Sequence, residues 1–156
     1  MAITTISVLL LIYISYQDLQ FKNNPLSIQT LTLLKQKEYH LRKLSLLKYG
    51  LKVNFPIIIS DKLQNNLFGL TTYNQNEIKI FLNKNRFQET EEYMIDYVLP
   101  HEYAHALMFV LKDFSSIKGG HSKKWQEVCI NLEGKKCDRF VKNNDVIMDK
   151  LNIFSK

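Results

Sequence analysis

Histidine occurs four times in this chain of 156 residues, and three of the four fall between positions 101 and 121. Two of them frame the run His101-Glu102-Tyr103-Ala104-His105, and the third, His121, follows Gly119-Gly120. On a helix, residues four apart lie one turn above each other on one face. His101 and His105 so placed reach a common metal ion. Glu102, about 100° further round, reaches a water on that ion rather than the ion itself. Two His ligands, a Glu general base and a third ligand from elsewhere form the H-E-x-x-H zinc arrangement.

The flanks decide between this reading and an ordinary amphipathic helix with two polar histidines. Met94-Ile95 and Tyr97-Val98-Leu99 precede the motif, and Ala106-Leu107-Met108-Phe109-Val110-Leu111 follows it. A helix apolar nearly all round is a buried one. Two His and a Glu at its centre need partners, because unpaired buried polar groups are costly. A metal satisfies all three together.

The third ligand is not where a metzincin has it: that pattern needs Gly and His three and six residues past the second His, where this chain has Met108 and Leu111. A gluzincin takes a downstream Glu, for which Glu127 and Glu133 are at a workable distance. His121 is the favoured candidate. Glycine before it lets the backbone turn sharply, and it heads a helix expected over residues 122–132. Trp125, Cys129 and Leu132 continue its apolar face, while Glu127 falls on the polar side with Lys123 and Lys124.

The segments Val98-Leu-Pro-His-Glu-Tyr-Ala-His105 and Gly120-His-Ser-Lys-Lys-Trp-Gln126 resemble the SprT-like family of zincin metallopeptidases, which includes the eukaryotic Spartan proteases. The resemblance extends from about Phe55 to Phe140 and takes in Gly69 and the segment 78–83. It implies a zincin-like fold, Zn2+ as cofactor held by His101, His105 and His121, Glu102 as the catalytic residue, and protein substrates cleaved at peptide bonds. Many members add a four-Cys zinc ribbon, whereas this chain has two cysteines, Cys129 and Cys137. Zincins hold the substrate strand against a sheet edge, for which residues 77–83 are the expected edge here. Tyr73, Tyr93, Tyr97 and Tyr103 are candidates for steadying the oxyanion. A rival class is a non-catalytic zinc-stabilised module. Such sites are closed by four protein ligands, often Cys, and it would need Cys129 or Cys137.

The expected fold is α+β, with N-terminal helices, a small antiparallel or mixed sheet and the H-E-x-x-H helix. Residues 26–49 suggest one or two amphipathic helices ended by Gly50. Residues 53–60 read as a buried strand, and 67–73 with 77–83 as a hairpin about Asn74-Gln75-Asn76. A helix from about Glu89 runs toward Pro100, which starts a new helix or kinks the old one. A short helix is expected after Phe140.

Charge is uneven along the chain. Residues 1–60 carry seven Lys/Arg against two acids, 61–100 four against six, and 101–156 ten against seven, for a net charge of +6. Lys118, Lys123, Lys124, Lys135, Lys136 and Arg139 form a basic flank that suits weak nucleic-acid contact, with a solvated surface as the plain alternative. Cys129 reads as a buried core thiol, and the pair does not suggest a disulfide framework.

Residues 1–17 carry no charged side chain. Sixteen or so such residues give roughly 24 Å of helix, short of the ~30 Å hydrocarbon core. A short anchor, an interfacial helix and a buried first helix are the three readings. The favoured division is residues 1–24 as an apolar segment and linker that associates with a membrane, and 25–156 as the metallopeptidase domain. The Lys/Arg excess after the segment then puts that domain on the cytoplasmic side.

Overall fold

A computed structural model describes residues 2–113 and 120–138, with side chains from Thr5 onward. The expectations about Lys118, Gly119, Arg139 and the helix after Phe140 lie outside the described residues. The architecture is α+β, with helices packed on a small mixed sheet of three strands.

Helix α1, Ala2–Asn23, is built from the charge-free segment. Its side chains from Ile6 to Leu19 stand in solvent, with Leu9 and Leu11 at 65% and 64% exposed. The segment is not part of the described core: among the described residues it meets the body near its end, where Asp18 accepts a hydrogen bond from Gln88, Phe21 packs on the core and Lys84 donates to the Lys22 carbonyl at 2.8 Å. No helix among the described residues is long and apolar enough to cross a membrane.

Helix α2, Ile28–Tyr49, is one helix rather than two. The Ser27 hydroxyl accepts the Thr30 N–H at 3.0 Å at its start, satisfying one of the first-turn donors. Gly50, at φ +65°, ends it. Its N–H donates to the Leu46 carbonyl at 2.9 Å, and that of Leu51 to Ser45 at 3.3 Å, a left-handed C-terminal stop that glycine enters without strain. Leu34, Leu41 and Leu44 form the buried stripe.

Strands β1 (Ile57–Ser60), β2 (Gly69–Asn74) and β3 (Glu77–Asn83) lie in the order β1-β3-β2. The β2–β3 hairpin turns at Gln75 and Asn76, whose φ of 48° and 66° give the turn a twist that matches the strands. β1 runs parallel to β3, Ile57 opposite Ile80. This corrects the expected edge: residues 77–83 are the central strand, and β2 is the edge beside the helix that carries His101 and His105. Alternation of Ile78, Ile80 and Leu82 reports which face is buried, but not how many neighbours a strand has.

The buried Asn83 side chain joins the sheet to the helices after it. Its amide donates to the Leu67 and Gln64 carbonyls at 2.7 and 3.2 Å, pinning the loop that leads into β2. Its carbonyl oxygen caps helix α3, Lys84–Glu89. A short turn, α4 (Glu91–Tyr93), passes into a wide π turn at Met94–Val98 and then into α5, Leu99–Val110. The Leu99 N–H donates back to Met94, five residues away. Pro100 has no N–H to give, and the wide turn just before it lets the helix continue past it. Helix α6, Lys123–Asn131, starts where the Ser122 hydroxyl accepts the Trp125 N–H at 3.2 Å.

The reading of Cys129 as a buried thiol is corrected: Cys129 and Cys137 form a disulfide. Eight residues along a helix span about 12 Å, too far for a bridge. The chain instead reverses at Glu133, φ +58°, and Gly134, bringing the two Cα atoms to 5.8 Å. A Cβ on Gly134 would lie 2.7 Å from the Cys129 sulfur, so the reversal needs glycine there.

Candidate metal centre

Helix α5 carries His101 and His105 one turn apart, and its other faces are sealed by Leu99, Ala104, Leu107 and Met108 in the core. Helix α6 packs on α5, with Trp125, Val128, Cys129 and Leu132 buried. The residue just before α6's N-terminal cap is His121, which this packing delivers to the α5 pair. Gly120 makes the approach feasible: it sits at φ +77°, and a Cβ on it would come 2.8 Å from the His105 ring.

The three Nε2 atoms converge. His101 and His105 are 3.3 Å apart, His105 and His121 3.2 Å, and His121 and His101 3.0 Å. An imidazole nitrogen that carries a proton has no lone pair left, so three in a triangle cannot satisfy one another. A metal at ~2.0–2.1 Å from each, in tetrahedral array, would set the nitrogens roughly 3.3–3.4 Å apart. The triangle fits that demand, and the three residues form a group able to hold a metal ion. Burial pushes His101 down to about 4, helped by His121, and His105 down to about 3, helped by His101 and His121. Both are held neutral, the form that ligates.

Trp125 lies under the triad. Its ring is 4.4 Å from that of His121, 4.7 Å from His101 and 5.0 Å from His105. Sequence reasoning placed Trp125 on the apolar face of α6 without assigning it to the imidazoles.

Glu102 projects from the next position of α5 toward β2. The Thr71 hydroxyl lies 2.7 Å from its Oε2 and 2.9 Å from its backbone carbonyl, and the Thr71 N–H also donates to the carboxylate. Burial pushes Glu102 up to about 7 against the pull of these bonds. Gly69, two residues earlier in β2, leaves the space: a Cβ there would lie 2.7 Å from Cγ and 2.9 Å from Oε1 of Glu102. Thr71 was not singled out from the sequence, where a threonine in a strand carries no signal of its partner.

A cleft of about 680 Å³ opens over these residues, and Gly69, Leu70 and Thr71 of β2, Tyr93 and Tyr97 also line it. The four tyrosines separate by position. Tyr103 is fully buried against Phe55, and the Tyr73 hydroxyl donates to Asn76 at the hairpin tip. Tyr93 and Tyr97 stack at 4.8 Å on the cleft wall, and Tyr97 is the more exposed. Glu127 points to solvent, and Glu133 pairs with His40 at 2.8 Å. Neither joins the imidazole group. Of the basic flank, Lys124 is paired with Asp113 and Lys135 with Asp96 and Glu92.

No curated protein and no solved structure matches the chain. The model of the SprT-like family matches residues 35–145, well over half of the length. That span holds the sheet, α5, α6 and all three converging imidazoles, and the chain belongs to the SprT-like family.

Proposed function

We propose that this protein is a zinc metallopeptidase with a zincin-like fold that hydrolyses peptide bonds of protein substrates. The observation that carries the reading is the triangle of Nε2 atoms with sides of 3.0–3.3 Å, set beside the buried carboxylate of Glu102 in an open cleft. Membership of a family associated with a zinc-metallopeptidase-like fold supports it.

His101, His105 and His121 would hold the zinc, leaving a fourth position toward the cleft. Zinc, when bound, supplies Lewis acidity toward water and toward a carbonyl. Glu102 takes a proton from the attacking water and returns it to the leaving amine, a task suited to a carboxyl pushed up to about 7. The substrate lies extended along β2. The Asn83 N–H donates to the Phe68 carbonyl, so the peptide groups of alternate residues 69, 71 and 73 face away from β3. Main-chain pairing there, on either side of Thr71, gives modest sequence preference. Tyr97, in the lining of the same cleft, is the donor to the developing oxyanion.

The zinc-stabilised module is disfavoured by the disulfide, which takes both cysteines out of the pool of fourth ligands. Glu102→Gln separates the two readings. It keeps the shape of the side chain and should retain about one zinc per chain, while cleavage of an unfolded protein drops by ~10²-fold or more. Cleavage surviving in the variant would remove Glu102 from the mechanism.

A further inference from the structure

The edge strand does more than wall the cleft: we infer that Thr71 is the positioning residue for the Glu102 carboxylate, and that Gly69 is the opening that lets the carboxylate reach it. The inference rests on the metallopeptidase reading for its consequence, but on the contacts alone for its geometry.

Glu102 arises from a helix, with several rotamers open to a carboxylate on a long stem. A general base must hold its oxygen within a fraction of an ångström of the water it serves. Oε2 is held by the Thr71 hydroxyl at 2.7 Å. Oε1 lies over the bare Cα of Gly69, where a Cβ would sit 2.9 Å away. The Thr71 hydroxyl and N–H together anchor the carboxylate to the sheet, and the bare Cα of Gly69 gives it room. The Thr71 hydroxyl also lies 2.9 Å from the Glu102 backbone carbonyl, so it touches the side chain and the main chain of the same residue. That registers the carboxylate against the helix as well as against β2. A hydroxyl has one proton for these two acceptors; whichever takes it, the oxygen stays seated between them.

Thr71→Val keeps the β-branched shape and removes the hydroxyl. It should lower kcat about 10- to 100-fold with KM and zinc stoichiometry unchanged. Thr71→Ser, which restores the hydroxyl, should recover most of the loss. Unchanged kcat in Thr71→Val, or loss of zinc along with activity, overturns the role. A second readout needs no activity: a thermal cycle of Thr71→Val with Glu102→Ala. Removing the hydroxyl should lower Tm by about 2–4 °C when Glu102 is present, and by much less when it is absent. Additive shifts overturn the contact itself. A wild type that cleaves no protein would sink the metallopeptidase reading, and the thermal cycle would still decide Thr71.

Discussion

Trp125 lies nearly parallel to the imidazole of His105, their ring centroids 5.0 Å apart with 25° between the planes. The same indole meets His101 and His121 edge-on at 65° and 79°. One side chain on α6 thus touches all three rings that converge from two elements. Rings held in place before a metal arrives lose less freedom when it binds, which raises affinity.

Trp125 is the one tryptophan of the chain, so its emission reports on the triad alone. Zinc added to chelator-treated protein should change that emission saturably, at one equivalent per chain. His121→Ala should abolish the response. Trp125→Ala should cost about 3–5 kcal/mol of stability, as an emptied site of that size does. Trp125→Phe should fold and bind zinc about 10-fold more weakly, in the range seen for groups that orient ligands. Zinc affinity unchanged in Trp125→Phe would show that the indole is packing alone.

The third ligand is tested by a pair of variants. His121 contributes one corner of the nitrogen triangle, whereas Glu127 is exposed on the polar side of α6. His121→Ala should therefore weaken zinc binding by orders of magnitude, and Glu127→Ala should leave it unchanged. Metal analysis with the reverse order would move the site to a gluzincin.

Much of this centre was legible in the chain because its chemistry is local. The four-residue spacing of His101 and His105 and the apolar flanks specify a buried helix with both rings on one face. His121 was legible through Gly120 and the amphipathic face running to Leu132. What escaped depends on how distant segments meet. The hairpin was readable from its alternation and its Asn-rich turn, but the parallel addition of β1 to β3 was not, and with it went the identity of the edge. Thr71 and Trp125 gain their roles only across that packing. The disulfide escaped because a chain reversal at Glu133 undoes the spacing that a helix would have imposed.

A carboxylate away from the metal offers a pH test. Asp96, on the π turn, accepts from Lys37 of α2 at 2.9 Å and from Lys135 beyond α6 at 2.8 Å. Burial pushes its carboxyl up, but the hydrogen bonds and positive charges of the two lysines together outweigh burial and hold it below the ordinary value. A folded pKa below the unfolded one stabilises above the unfolded value near 4, and the benefit is lost as pH falls through the folded value. Asp96→Asn should then cost about 1 kcal/mol at pH 7, a figure reduced for the partial exposure of the group. The gap between wild type and variant should close below pH 4. Urea melts of chelator-treated protein at pH 7 and pH 3 check this. A gap that widens in acid would contradict the sign.

Helix α1 is open to a truncation test. Its large apolar side chains from Ile6 to Leu19 are exposed, and among the described residues it meets the body near its end, through Asp18 with Gln88, Phe21 on the core and the Lys22 carbonyl with Lys84. Each large apolar side chain buried in a core contributes roughly 1.5–3 kcal/mol, so a helix that contributes none of these can be removed without thermal cost. A chain beginning at Gln17 keeps Asp18, Phe21 and Lys22 and should melt within about 2 °C of the full-length protein, with the same zinc content. Were the helix instead packed on the domain, loss of even three such contacts would remove about 5–9 kcal/mol, enough to unfold a protein of ordinary stability. Scanning calorimetry of the truncated and full-length chains at equal concentration decides between the two, and a collapse of Tm on truncation would show that α1 folds back onto the body.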